Sequence, residues 1–169
     1  MVVFLADRTN LQGKRLHDRI KHRIRAEFTG VQRRRAEPRE PGPYRVVGEV
    51  DPRGFLKDEN YPTGTARIEI GFQLRTDDPH EYYWFNWIEP DQRMLVGWHQ
   101  DETHDELGPV HRQVNDGSVA VDHEPARFID AHPLDVVSRR LETLSDLVCA
   151  VEWDGGRPVG FESAVSDGE

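Results

Sequence analysis

The stretch TARIEIGFQLRT, residues 65–76, alternates apolar and polar side chains more regularly than any other part of the chain. Its apolar residues fall at every second position: Ile68, Ile70, Phe72 and Leu74. Successive side chains of a β-strand point to opposite faces, so this pattern predicts a strand with one buried side and one polar side. Half-buried strands of this kind are typical of antiparallel sheets.

The next segment, EYYWFNWIE (81–89), is apolar on both faces, which predicts a central strand. A short turn joins it to RMLVGWH (93–99), so we expect a meander. Further strands are predicted at 44–50 and on both sides of the hairpin signal NDG (115–117). We expect the second face of the aromatic strand to be covered by the N-terminal helix or by another subunit, because its apolar side chains also need burial: Tyr82, Trp84 and Ile88.

Two helices complete the pattern. Residues 10–36 carry one apolar stripe among many basic residues: Leu16, Ile20, Ile24, Phe28 and Val31. Pro133 suits the first position of a second helix, with its own stripe: Leu134, Val137, Leu141, Leu144 and Val148. The predicted fold is therefore α+β, a mostly antiparallel twisted sheet of four to six strands with an N-terminal basic amphipathic helix and a C-terminal helix packed on it.

Charge divides the chain unevenly. Residues 1–42 hold 11 basic and five acidic residues, a net charge of +6, whereas residues 43–169 hold 11 basic and 26 acidic residues, a net charge of -15. We expect a basic helical arm with a Pro-rich linker at 1–42, one α+β domain at 43–158 and a disordered tail at 159–169. Such an arm is typical of contact with nucleic acid or a partner, through Arg15, Arg19, Arg23, Arg33, Arg34 and Arg35.

The overall composition indicates the cellular environment of the protein rather than its function. The 169 residues carry a net charge of -9, and only three of the 22 basic residues are lysine. This acidity is typical of a halophile, whose surface carboxylates keep proteins dissolved in a salt-rich cytosol. The sequence contains no apolar run long enough to span a membrane and no secretion signal. A single cysteine excludes an internal disulfide, so we expect a cytoplasmic protein.

The segment GWHQDETHDELGPVHRQ, residues 97–113, is the candidate site, with His99, Asp101, His104 and His111. His99 ends one predicted strand and His111 begins the next, and the ends of paired antiparallel strands lie about 5 Å apart. We therefore expect the two imidazoles to converge across the mouth of the loop. Imidazole and carboxylate suit a divalent metal such as Zn, Mn or Ni, and they also suit proton transfer. A polar loop or a partner surface remains open, because the spacing matches no standard zinc motif. The chain also lacks GxGxxG, P-loop and GxSxG motifs.

From the aromatic strand onward, the chain runs through RMLVGWH, the acidic loop THDELGPVH, a DG hairpin and the helix AHPLDVVSRRLETL. This order resembles the TumE-like family, small toxins encoded beside a helix-turn-helix antitoxin, over about residues 80–147. The resemblance implies a toxin that acts on RNA or is held by an antitoxin protein, with Asp101, His104 and His111 at the family's loop and strand positions.

Three functional hypotheses follow. The first is a cytosolic toxin; if it cleaves RNA, His99, His104 and His111 would carry acid–base roles, Asp101 would orient an imidazole and Arg112 would hold phosphate. The second is a non-enzymatic homo-oligomeric or partner-binding module that uses the basic helix and the aromatic strand. The third is a metal-dependent hydrolase that uses the His/Asp loop.

Overall fold

The computed structural model describes residues 3–38, 42–74 and 82–162, with side chains from residue 12 onward. The chain folds as α+β, with a seven-stranded antiparallel sheet and three α-helices. The elements are α1 (Val3–Ile24), β1 (Thr29–Arg35), β2 (Tyr44–Val50), α2 (Pro52–Leu56), β3 (Ala66–Gln73), β4 (Tyr82–Glu89), β5 (Met94–Gln100), a 3-10 turn (Asp105–Leu107), β6 (Val110–Asp116), β7 (Val119–Pro125), α3 (Pro133–Cys149), β8 (Val151–Asp154) and β9 (Arg157–Phe161).

The large sheet is a meander. Its strands follow the chain order from β1 to β7, and each pairs antiparallel with the next, while β8 and β9 form a separate hairpin. The predicted buried side of β3 is confirmed, because Ile68, Ile70 and Phe72 are at most 1% exposed. The opposite side is more buried than predicted, because Glu69 is only 8% exposed. The predicted strands at 44–50, 81–89 and 93–99 and the NDG hairpin are confirmed as well. The sheet nevertheless exceeds the predicted four to six strands, because β1 adds an edge.

The core lies on one face of this sheet. Helices α1 and α3 both pack there, and one cluster of buried side chains joins them to the strands. Ile20 of α1, Leu144 of α3 and Trp87 of β4 are each fully buried in this cluster. His132 accepts a hydrogen bond from the Leu134 N–H at the start of α3, which satisfies one of the free donors of the helix terminus.

The prediction of a helix over 10–36 is wrong in its second half. Helix α1 ends at Ile24, and the chain turns to form strand β1. Gly30 adopts φ +59, a left-handed conformation that interrupts a helix. Phe28 is 3% exposed in the same core as Ile24, so the apolar spacing continues although the secondary structure changes.

The prediction that α1 or another subunit covers the second face of β4 is also wrong for α1, which packs on the core face with α3. All three α-helices contribute side chains to the core cluster, and the opposite face of the sheet is called here the outer face. Trp84 is still only 5% exposed on it, because its indole lies against Gly71. A Cβ atom at residue 71 would come within 2.5 Å of that ring, so the glycine makes room for it.

The N-terminal segment is therefore part of the main fold and not a separate arm, since α1 packs into the core and β1 extends the sheet. Residues 39–41 of the predicted linker lie outside the described residues. The predicted tail at 159–169 begins too early, because β9 continues to Phe161, and residues 163–169 lie outside the description. In the described part of the chain, no helix has the length and apolarity required to cross a membrane.

Candidate functional site

Strand pairing brings three histidines together on the outer face. His99 of β5 lies directly opposite His111 of β6, and their ring centroids are 5.6 Å apart. His123 of β7 pairs with Gln113, two residues beyond His111 on the same face. The centroids of His111 and His123 are 5.5 Å apart. Three neighbouring strands thus place their imidazoles close together on one face of the sheet.

The loop between β5 and β6 adds the remaining members. An oxygen of Asp101 accepts a hydrogen bond of 2.9 Å from the Thr103 N–H, which begins the turn. The 3-10 turn follows, and the loop lays the His104 ring 4.8 Å from the His111 ring and 4.3 Å from the His123 ring. We call this group the His/Asp cluster: His99, Asp101, His104, His111 and His123.

All four predicted catalytic residues, His99, Asp101, His104 and His111, lie in this cluster, although their catalytic role stays a prediction. His123 is a member that sequence reasoning missed, because it lies in a return strand outside the 97–113 segment. The NDG turn alone would not have found it, because regular pairing back from Asp116 and Val119 places residue 123 opposite Arg112, on the other face. A register shift between Val114 and Asn115 moves His123 opposite Gln113, and that irregularity is not visible in the sequence.

Hydrogen bonds hold three of the four imidazoles. The Nε2 atom of His99 lies 2.8 Å from Asn86 Oδ1 and that of His123 lies 3.2 Å from Gln113 Oε1. The Nδ1 atom of His104 lies 3.4 Å from the exposed carboxylate of Glu106. His111 differs: it is 1% exposed, and its buried Nδ1 atom has no hydrogen-bond partner among the described residues.

The surroundings of His99, His111 and His123 favour the neutral imidazole by lowering the pKa of each ring. Burial is the main cause that lowers the pKa of His99 to about 4, and the neighbouring His111 contributes to the same shift. Burial likewise lowers the pKa of His111 and of His123, and the proximity of His104 adds to both shifts. Neutral imidazole is the form that binds metal.

The carboxylate of the cluster is held in its charged form. Burial raises the pKa of Asp101, but hydrogen bonds from Thr103 and the nearby His111 and His99 outweigh this, so the pKa lies below its usual value. At neutral pH the cluster therefore combines neutral nitrogen donors on His99, His111 and His123 with one ionised oxygen donor.

Two triads of possible ligands share His111. The outer triad is His104, His111 and His123; the inner triad is His99, Asp101 and His111. In each triad one donor atom of every residue lies within 4.8 Å of the other two. Nitrogen ligands bind zinc at about 2.0–2.1 Å, so small side-chain rotations would close either triad on an ion. The buried, unpaired nitrogen of His111 fits such an ion because a metal would satisfy it.

Arg112 does not lie where the RNA-cleavage hypothesis places it. Adjacent residues of a strand face opposite sides, so Arg112 points to the core face while His111 points to the outer face. Its guanidinium forms an ion pair with Glu124 and lies 4.6 Å from the Phe161 ring centroid. Its side chain is 7% exposed. It therefore cannot hold a phosphate against the histidines.

The other predicted contact arginines lie away from the cluster. Arg33 pairs with Asp18 at 2.8 Å, and Arg23 pairs with Glu27 at 3.0 Å. Strand β1 is four strand spacings from β5, about 19 Å at roughly 4.8 Å each. Exposed members of the group are Arg15 and Arg19 on α1 and Arg34 and Arg35 on β1. The basic surface and the His/Asp cluster are therefore separate features.

Comparison with known proteins gave no match to any family model, to any curated protein or to any solved structure.

Proposed function

We propose that this protein is a metal-dependent hydrolase whose active centre is the His/Asp cluster. The observation that carries the proposal is His111, a buried imidazole that belongs to both ligand triads and whose Nδ1 atom has no hydrogen-bond partner among the described residues. Leaving a polar atom buried and unpaired costs free energy, about 1–3 kcal/mol in proteins. A bound cation would remove this cost.

Zinc is the ion that we expect first. Three imidazoles with an open fourth position are a ligand set used by catalytic zinc, and the outer triad provides three imidazoles. A zinc ion in such a set acts as a Lewis acid and makes water nucleophilic near neutral pH. Manganese and nickel accept the same donors and belong in the same test.

The residues of the outer triad and those around it would then have different roles. His104, His111 and His123 would hold the ion. The Asp101 carboxylate, ionised and half-buried beside them, would accept a proton from water. His99 forms the inner triad with Asp101 and His111, which is the alternative position for the ion. Glu102, Asp105 and Glu106 are exposed around the opening, and their charge favours capture of a cation over binding of a polyanion.

The test begins with elemental analysis of protein purified without a tag or chelator. We expect close to one equivalent of zinc, manganese or nickel, and release of p-nitrophenol from ester or phosphodiester substrates by the loaded protein. His111→Ala should lose both the metal and the activity, whereas His22→Ala, a change at an exposed histidine of α1, should keep both. A metal content below a few per cent, with no thermal stabilisation by any of these ions, would refute the proposal.

We also propose, from the resemblance over residues 80–147, that the protein is the toxin of a toxin–antitoxin pair. That region comprises β4 to β7 and most of α3 and so contains the whole His/Asp cluster. Expression without the neighbouring gene should slow growth, and His104→Ala and His111→Ala should relieve the effect. Unchanged growth with the wild-type chain would remove the toxin proposal while leaving the hydrolase proposal intact.

We propose that RNA or a protein partner would bind to a different surface of the protein. The exposed arginines Arg15, Arg19, Arg34 and Arg35 would bind RNA or an antitoxin. The aromatic strand cannot serve as the contact for a second copy, because β4 is central and its aromatic side chains are buried, with Tyr82 only partly exposed. Light scattering at high salt measures whether the chain forms a homo-oligomer through another surface.

A further inference from the structure

Two imidazoles of the His/Asp cluster each face the oxygen of a side-chain amide. Asn86 Oδ1 lies 2.8 Å from His99 Nε2, and Gln113 Oε1 lies 3.2 Å from His123 Nε2. An amide oxygen only accepts hydrogen bonds, so each Nε2 atom carries the hydrogen. The lone pair of the neutral ring is then on Nδ1. Both rings are therefore fixed in the same tautomer.

The position of Asn86 depends on a glycine in the next strand. Asn86 of β4 lies directly opposite Gly97 of β5 and is 8% exposed. A Cβ atom at residue 97 would lie 2.3 Å from Asn86 Oδ1, well inside contact distance. The absence of a side chain at Gly97 lets the amide lie across β5, where its oxygen reaches the ring of His99 two residues further along that strand.

Gln113 is oriented by a hydrogen bond of its own. Its Nε2 atom donates to Asn115 Oδ1 at 3.4 Å, which leaves the amide oxygen pointing away from Asn115. That oxygen meets His123, the residue paired with Gln113 across β6 and β7. Sheet register thus places one amide beside an imidazole of each triad.

We propose that Asn86 and Gln113 are positioning residues, which hold His99 and His123 with their Nδ1 atoms free to face a metal ion. The inference rests on the proposed metal centre and goes beyond it by assigning the acceptors that orient its ligands. Metal-binding histidines generally donate their second N–H to such an acceptor, and loss of the acceptor lowers metal affinity by about 10- to 100-fold.

The test compares variants of matched shape. Asn86→Leu and Gln113→Met remove the acceptor, whereas Asn86→Asp and Gln113→Glu keep an accepting oxygen. Zinc affinity is measured by competition with a chromogenic chelator on the full chain. We expect about 10- to 100-fold weaker binding for the apolar variant beside the triad that holds the ion, Gln113→Met for the outer triad and Asn86→Leu for the inner triad. Each acidic variant should bind zinc as tightly as the wild type or more tightly.

The tautomer provides a readout that packing alone would not change. Long-range ¹H–¹⁵N spectra of the metal-free protein should show His99 and His123 protonated at Nε2, and Asn86→Leu should turn His99 alone into a mixture of tautomers. Protonation of either ring at Nδ1 in the wild type would overturn the inference for that residue. Equal zinc affinity in the wild type and the apolar variants, or equal loss in apolar and acidic variants, would overturn it for both.

These outcomes are distinct from failure of the metal centre itself. If the wild type binds no zinc, manganese or nickel, both the hydrolase proposal and this inference are wrong. If the wild type binds zinc and the variants do not separate as expected, the metal centre stands and only the positioning role is lost.

Discussion

Replacement of His111 by leucine should stabilise the metal-free protein while abolishing its response to zinc. His111 is 1% exposed, and its Nδ1 atom is buried without a partner among the described residues. An unpaired polar atom of this kind costs about 1–3 kcal/mol, and an apolar side chain of similar size avoids that cost. Leucine also loses the polar interaction of the imidazole with the Gln113 side chain, about 1 kcal/mol.

The balance is a gain of about 1 kcal/mol in the free energy of unfolding. For a chain of this size, 1 kcal/mol corresponds to roughly 2–4 °C in Tm. Zinc should stabilise only the wild type. At a free zinc concentration 100 times Kd, the wild type gains about 2.7 kcal/mol, or roughly 5–11 °C, whereas His111→Leu gains nothing.

The assay is thermal unfolding by circular dichroism after chelator treatment, with and without added zinc. The matched control is His22→Leu, which removes an exposed imidazole from α1 and should leave both Tm values close to those of the wild type. A fall of several degrees in the metal-free Tm of His111→Leu would contradict the unpaired nitrogen. An undiminished zinc response would contradict its role as a ligand.

Three further predictions concern the frame around the site. Burial lowers the pKa of His17 from 6.5, so the folded state favours the neutral imidazole and loses stability as the pH falls below about 6.5. His17→Leu should reduce that loss by up to about 1.36 kcal/mol per pH unit, as measured by urea unfolding at several pH values. Gly71→Ala should cost about 1–3 kcal/mol in urea unfolding, since the new Cβ atom meets the Trp84 ring. Arg112→Ala should lower stability by about 3–5 kcal/mol, because it leaves Glu124 partly buried and unpaired, yet leave zinc affinity unchanged.

For each of these three predictions, one experimental result would contradict it. A pH dependence of unfolding identical in His17→Leu and the wild type would mean that His17 does not prefer its neutral form in the fold. Wild-type stability of Gly71→Ala would mean that the indole of Trp84 can move aside. Weakened zinc binding by a folded Arg112→Ala protein would place that guanidinium near the site after all.

Local pattern was sufficient for most elements of the fold. The period of two in residues 66–73 depends only on the geometry of a strand, and Pro133 fixes the start of α3 through its own backbone. The same reasoning failed at 29–35, where Phe28 and Val31 continue the helical spacing of α1 but pack from a turn and a strand. Periodicity reports which side chains are buried, and two kinds of backbone can bury them equally well.

For the candidate site, the sequence by itself determined that His99, Asp101, His104 and His111 flank one acidic bend between two strands. Only the tertiary structure decided that His123 joins them, that Arg112 faces away and that Asn86 and Gln113 accept from two of the rings. The reason is physical: which residues share a face across several strands depends on register, and a shift of one residue sends every side chain to the other side. Register is fixed by packing of the whole sheet on its helices, which no short stretch of sequence contains.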